Sequence, residues 1–178
     1  KSTEGLFTIV NANEYGYSMS IGDPIVPVMK KIIEIPLDGG VQISILSESS
    51  NEISLQDYGI YNKLMPTQAP VSKSIENSED VTFDFNSETY QINDYLYTER
   101  IKIVPIGMMR GVRLARLEVY PVQYNPVQNT IKVFDNIQFE ITFPGADVMK
   151  TINMKKDYFS PYFESNFSHI VNYKQELS

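Results

Sequence analysis

Between Thr130 and Phe143, Ile131, Val133, Ile137, Phe139, Ile141 and Phe143 occupy odd positions, with Lys132, Gln138, Glu140 and Thr142 between them. Successive side chains of an extended chain point to opposite faces, so this spacing predicts a half-buried strand and not a helix. Upstream, Val112 and Leu114 share one parity while Leu117 and Val119 share the other. One extra residue near Ala115 and Arg116 would keep both pairs facing a core, which predicts a β-bulge there. The whole stretch from Arg110 to Phe143 then reads as a β-hairpin. Pro121 and Pro126 cannot donate to a ladder and Asn125 and Asn129 favour turns, so side-chain chemistry orders the connection.

The rest of the chain is also strand-rich. Leu6–Val10 and Tyr15–Ile21 read as two strands about a polar turn, and Val28–Ile35 as a third. The Pro36–Gly40 turn leads to Val41, Ile43 and Ile45 in a hairpin partner, and Ile53 and Leu55 mark a further short strand. Val81–Phe85 and Tyr95–Val104 add two more. Near the end, Ser160-Pro161 has the form of an N-cap followed by proline at the first helical position. Phe163, Phe167, Ile170 and Val171 follow at helical spacing, which predicts one short helix. Turn signals every eight to twelve residues make the remainder an antiparallel β-sandwich, all-β and of jelly-roll type.

At 178 residues the chain has the size of a single domain, 1–178, able to bury roughly 70% of its unfolded surface without staples. It has no cysteine, so neither a disulfide nor a thiolate nucleophile or metal ligand is available. The formal net charge of −7 disfavours a nucleic-acid backbone as partner and suits solubility or a basic protein partner. No apolar run approaches the length of a membrane span, and a signal-peptide pattern is missing, as it would be in a chain already trimmed.

Catalytic chemistry is hard to place. The single histidine, His169, sits in the aromatic C-terminal stretch and reads as a partly buried helix residue. Glu34, Glu48, Glu118 and Glu140 fall mostly at outward strand positions, so no general acid and base pair emerges. No metal-ligand spacing or phosphate-binding glycine loop is present, and no cofactor is expected. Arg110, Arg113 and Arg116 read as surface or ion-pair residues. Residues 66–80 lack periodicity and apolar content. A loop of that length is usually either functional or a solvated linker, and composition favours the linker.

Four motifs occur in a telling order: Gly22-Asp23-Pro24-Ile25-Val26-Pro27; Tyr58-Gly59 with Lys63-Leu64-Met65-Pro66 and Val71-Ser72-Lys73-Ser74; Met109-Arg110-Gly111-Val112-Arg113 with Pro121-Val122-Gln123-Tyr124-Asn125-Pro126; and Phe159-Ser160-Pro161-Tyr162-Phe163-Glu164. Through them nearly the whole chain resembles the N-terminal prodomain of the gingipain cysteine proteases, its lysine-specific branch above all. The resemblance implies a zymogen segment that assists folding of its own downstream cysteine protease domain, blocks the active site and is cut away. It further implies secretion or display at the cell surface after export through the periplasm. The segment itself would not be an enzyme, would be a monomer when isolated, and would have no membrane span.

In that family an exposed loop presents a basic side chain to the primary specificity pocket. The motif puts this role on Lys73, flanked by Val71, Ser72 and Ser74. Maturation cleavage lies just beyond the C-terminal helix, usually after a basic residue, and Lys174 is the basic residue of the tail from Val171 to Glu176. Two other classes remain open on the residues alone. A carbohydrate-binding β-sandwich would use some of the twelve tyrosines as stacking surfaces, although most read as core or strand-face residues. A stand-alone enzyme such as a glycosidase would need an acid and base pair.

Overall fold

The computed structural model describes residues 5–70 and 82–174. Among them seven strands form two antiparallel sheets. One has the order β1 (Gly16–Tyr17), β2 (Pro27–Ile35), β5 (Val112–Val119), β4 (Ile101–Met109). The other has the order β3 (Gln42–Ser54), β7 (Thr130–Thr142), β6 (Val122–Asn125). Among the described residues one α-helix, α1, spans Val148–Asp157.

The residues divide into two compact units. The first comprises Lys1–Val28, Ser49–Thr98 and Tyr120–Asp135, the second Met29–Glu48, Glu99–Val119 and Asn136–Ser178. In the first unit Val28 of β2 packs with Val122 and Tyr124 of β6, Ile131 of β7, Leu55 and Leu64. In the second, Ile33, Ile35, Ala115 and Leu117 of the four-stranded sheet pack against Ile43, Ile137, Phe139 and Ile141 of the other sheet. Both cores are therefore sheet on sheet, as the alternation requires. Ile137, Phe139 and Ile141 turn inward between exposed Gln138, Glu140 and Thr142, so the register read from β7 holds.

The arms of the expected Arg110–Phe143 hairpin do not pair. β5 pairs with β4 and β2, whereas β7 pairs with β6 and adjoins β3. The reason is a tighter turn upstream: Arg110 and Gly111 have φ of 48° and 77° and join Met109 to Val112 directly. Positive φ at both central residues is the two-residue hairpin geometry that matches strand twist. A Cβ on Gly111 would come within 2.5 Å of the Met154 carbonyl oxygen, so that turn also needs glycine for space.

Nor is there a bulge in β5, whose pairing with β2 runs unbroken from Arg113 to Val119. Its apolar phase changes because both faces are covered. Ala115, Leu117 and Val119 enter one cluster, while Val112 and Leu114 pack with Phe167, Ile170 and Tyr173 of the C-terminal segment. The register shift lies in β4, between Pro105 and Gly107. β4 is an edge strand, where a proline without an N–H is tolerated.

Three further expectations change. The proposed β2–β3 hairpin gives way to strands in different sheets, because partners distant in sequence take the turn's backbone groups. Arg113 donates to the carbonyls of Pro36 and Leu37 at 3.0 Å each, Thr151 Oγ1 accepts from Leu37 N at 3.2 Å, and Gly40 N donates to the Pro144 carbonyl at 2.9 Å. Leu6–Val10 and Tyr15–Ile21 form only β1 and isolated bridges, such as Thr8 to Leu64. Finally, Ser160-Pro161 opens a 3-10 helix, Pro161–Phe167, and His169 is exposed in the turn after it. The α-helix lies upstream. It offers no apolar stripe, since its one buried residue is Lys155. Its signals are Asp147, which accepts from Lys150 N at 2.9 Å, and Lys155 and Lys156 in the last turn.

Candidate functional site

The candidate inhibitory residues Val71, Ser72, Lys73 and Ser74 lie outside the described residues. The chain on either side of them is described, and both sides belong to the first unit. Gln68 and Asp84 fasten the two sides together. Gln68 Nε2 donates to the Asp84 carbonyl at 2.9 Å, Gln68 Oε1 accepts from Asp84 N at 3.0 Å, and Asp84 Oδ2 accepts from Ala69 N at 3.0 Å. One primary amide thus pairs with both backbone groups of Asp84, and the Asp84 carboxylate returns a bond to the departing segment. Gln68 Nε2 also reaches the Pro66 carbonyl at 3.0 Å, which fixes its rotamer.

A second tie runs through the Gly22-Asp23 turn. Thr67 N donates to the Asp23 carbonyl and Gly22 N to the Thr67 carbonyl, both at 2.8 Å, while Asn86 N donates to the Gly22 carbonyl at 3.0 Å. Asp23 Oδ1 accepts from Asn86 Nδ2 at 2.9 Å and from Thr89 Oγ1 at 2.7 Å. Gly22 has φ of 81°, and a Cβ there would stand 3.1 Å from Asn86 N. The turn thereby receives the outgoing chain on one side and the returning chain on the other.

The returning chain alternates although it forms no strand. Phe83 and Phe85 point to one side, where Phe7 lies 5.6 and 6.2 Å from their ring centres, and Phe85 stacks on Tyr90 at 4.5 Å. The Asp84 carboxylate takes the Ala69 N–H instead. Beneath, buried tyrosines hold Leu64. Tyr90 OH donates to the Leu64 carbonyl at 2.6 Å, and Tyr124 OH accepts from Leu64 N at 3.3 Å while donating to Asn129 Oδ1 at 2.7 Å. Burial raises the Tyr90 and Tyr124 phenols, Tyr124 to about 12. Lys63 reaches the Pro126 carbonyl, and burial lowers its pKa. The motif residues Tyr124, Pro66 and Pro126 thus serve the support of this base, where the Tyr90 and Tyr124 phenols act as hydrogen-bond donors and not as an open stacking surface.

Gln68, Asp84, Asn86 and Thr89 were not singled out from sequence. The only available signal was the period-two spacing of Phe83 and Phe85; side-chain pairing across fifteen residues leaves none. Of the scattered carboxylates, Glu34, Glu48 and Glu118 are ion-paired: Glu34 with Lys155 at 3.0 Å, Glu48 with Arg100 at 2.7 Å, and Glu118 with Arg116 at 2.7 Å. Arg110 lies over the Phe163 ring at 3.8 Å. The maturation candidate Lys174, in the second unit, has an exposed side chain, and its carbonyl accepts from Lys155 Nζ at 2.8 Å.

Comparison with known proteins gives one family. The model of the Propeptide_C25 family matches residues 1–177. Lys-gingipain of Porphyromonas gingivalis is 38% identical over 152 residues, which is 85% of this chain and 9% of that protein. Gingipain R2 of the same organism is 21% identical over 154 residues, 86% of this chain and 20% of its own length. The chain therefore spans about a tenth of the length of the Lys-gingipain it matches. A solved structure concerned with the zymogenic latency of gingipain K from P. gingivalis superposes with a TM-score of 0.71 at 35% identity, covering 82% of this chain and 79% of that one. A complex of the P. gingivalis RgpB pro- and mature domains shares the fold, with a TM-score of 0.72 at 18% identity over 97% and 84% of the two chains.

Proposed function

Since the chain belongs to the Propeptide_C25 family, a family of non-catalytic propeptide segments, we propose that it is the N-terminal prodomain of a Lys-gingipain-like cysteine endopeptidase and keeps that protease latent until it is cut away. Its partner is the catalytic domain that follows it in the same precursor, which it also helps to fold, and the precursor is exported to the cell surface or beyond. Likeness to the gingipain K structure concerned with zymogenic latency supports this reading.

Lys73 acts as the plug, with Val71, Ser72 and Ser74 as its flanks. The observation that carries this is the fastened base, Gln68 with Asp84 and Gly22-Asp23 with Asn86. A loop held at both stems by a rigid scaffold loses less freedom when it enters a cleft than a free tail does. Lys73 is four residue steps along the chain from the Ala69 anchor, so covalent geometry limits it to about 14 Å from that point. A lysine ammonium suits an acidic pocket, and a scissile carbonyl held out of line with the nucleophile leaves the plug uncut. The test is inhibition of the mature protease by the purified chain and by Lys73→Ala. A large loss of inhibition by a folded variant is expected, and equal inhibition overturns the plug.

A further inference from the structure

The tail that carries Lys174 is fastened along β2. Val171 N donates to the Ile32 carbonyl at 3.0 Å. The Asn172 side chain takes both backbone groups of Glu34, accepting from its N–H at 2.7 Å and donating to its carbonyl at 2.9 Å, and so imitates a neighbouring strand. Tyr173 stacks on Phe167 with ring centroids 4.6 Å apart, and its hydroxyl donates to Glu164 at 3.1 Å. At the centre is Lys155, only 7% exposed. Its ammonium is 3.0 Å from the Glu34 carboxylate, 4.6 Å from the centre of the Tyr173 ring and 2.8 Å from the Lys174 carbonyl oxygen.

Endopeptidases bind the residues before the scissile bond in extended form, and they polarise its carbonyl with their own donors. Here the residues before the bond make a turn, with Tyr173 N donating to the Ile170 carbonyl at 3.3 Å. The Lys174 carbonyl, the one a nucleophile must attack, already accepts from an ammonium. The exposed Lys174 side chain is free to be recognised while the backbone behind it is not free to be cut. We propose that Glu34, Lys155 and Asn172 form a clasp that protects the Lys174–Gln175 bond until the tail peels from β2, so that opening of the clasp gates the severing of the chain. Hydrolysis adds water across that bond, leaving a carboxylate on Lys174 and an amine on Gln175. As a step in maturation the gate rests on the reading of the chain as a prodomain cut after Lys174.

The test uses the 178-residue chain and a lysine-specific serine endopeptidase unrelated to gingipains, with the fragment ending at Lys174 followed by mass spectrometry. Cleavage after Lys174 should be at least about tenfold slower in the folded chain than in a free peptide of residues 168–178, since a protected site is cut in proportion to its open population. Asn172→Ala should raise the rate several-fold, and Lys155→Met with Glu34→Gln should raise it further, while cleavage after Lys31 in β2 keeps its wild-type rate. A chain cut as fast as the peptide overturns the clasp. So does an Asn172→Ala variant that leaves the rate unchanged, or one that speeds Lys31 and Lys174 alike, which would be general unfolding. Because this endopeptidase has no part in the latency reading, failure here leaves the Lys73 inhibition assay to stand or fall by itself.

Discussion

The side-chain amide of Gln68 pairs with both backbone groups of Asp84, at 2.9 and 3.0 Å, across fifteen intervening residues. It does between two irregular segments what a ladder does between strands, and it sets the two ends of the candidate inhibitory segment side by side.

Gln68→Ala should lower stability by about 1–2 kcal/mol, the loss of two or three hydrogen bonds at a half-buried site. Gln68→Glu should be worse. It exchanges the Nε2 donor for an acceptor facing the Asp84 and Pro66 carbonyls, and it adds charge beside the Asp84 carboxylate. Thermal unfolding of both variants, together with their inhibition constants against the mature protease, checks this. A Gln68→Glu variant as stable and as inhibitory as wild type would show that the amide fastens nothing.

Phe139 and Ile141 line the core of the second unit as half-buried members of β7. Either alanine variant should cost about 2 kcal/mol, the lower end of the range for large-to-small core changes because part of each side chain already meets solvent. The exposed neighbours Gln138 and Glu140 should tolerate alanine within about 0.5 kcal/mol. Denaturant titration of the four variants reads the register directly, and equal costs at all four positions would refute it.

Alkaline pH should unfold the chain through its buried phenols. Desolvation pushes Tyr97 and Tyr124 up to about 12 and raises Tyr90 as well. The folded state therefore prefers the protonated phenol. The stability so contributed is complete below the ordinary phenol value of about 10 and is lost as pH rises through the folded value. Tyrosinate absorbance followed across pH 10 to 12 should show these phenols ionising late and together with loss of the fold. Ionisation of all twelve tyrosines near the ordinary value, with structure intact, would contradict their burial.

For Lys73 the variants should separate three ways. Lys73→Ala should leave the free chain within about 0.5 kcal/mol of wild type, yet weaken inhibition by about 2–5 kcal/mol, because truncation leaves an acidic pocket group buried and unpaired. Lys73→Arg keeps the charge but substitutes a wide planar fork for a compact ammonium, so its inhibition should fall between the two. Inhibition constants in the order wild type, arginine, alanine are expected. Arginine equal to wild type would mean a pocket that reads charge alone.

Period-two alternation in β7 and in β2 determined that this chain folds into sheets, because a strand presents alternate side chains to opposite faces whatever its partner. The turn chemistry at Asn125 and Asn129 was equally local. Asn129 takes φ of 54° and Asn125 Oδ1 accepts from Gln128 N at 3.0 Å, both as their residue types favour. The motifs, in their order, fixed the family and pointed to residues 71–74. Strand partners were decided elsewhere. Alternation says which face is buried and not what covers it, so a second covered face on β5 looked like a bulge. α1 stayed hidden because it buries a lysine in an ion pair with Glu34 and shows no apolar stripe. The Gln68–Asp84 fastening and the clasp about Lys174 also belong to the tertiary structure. Each joins polar groups far apart in the chain, and a hydrogen bond between distant residues has no period from which a sequence could announce it.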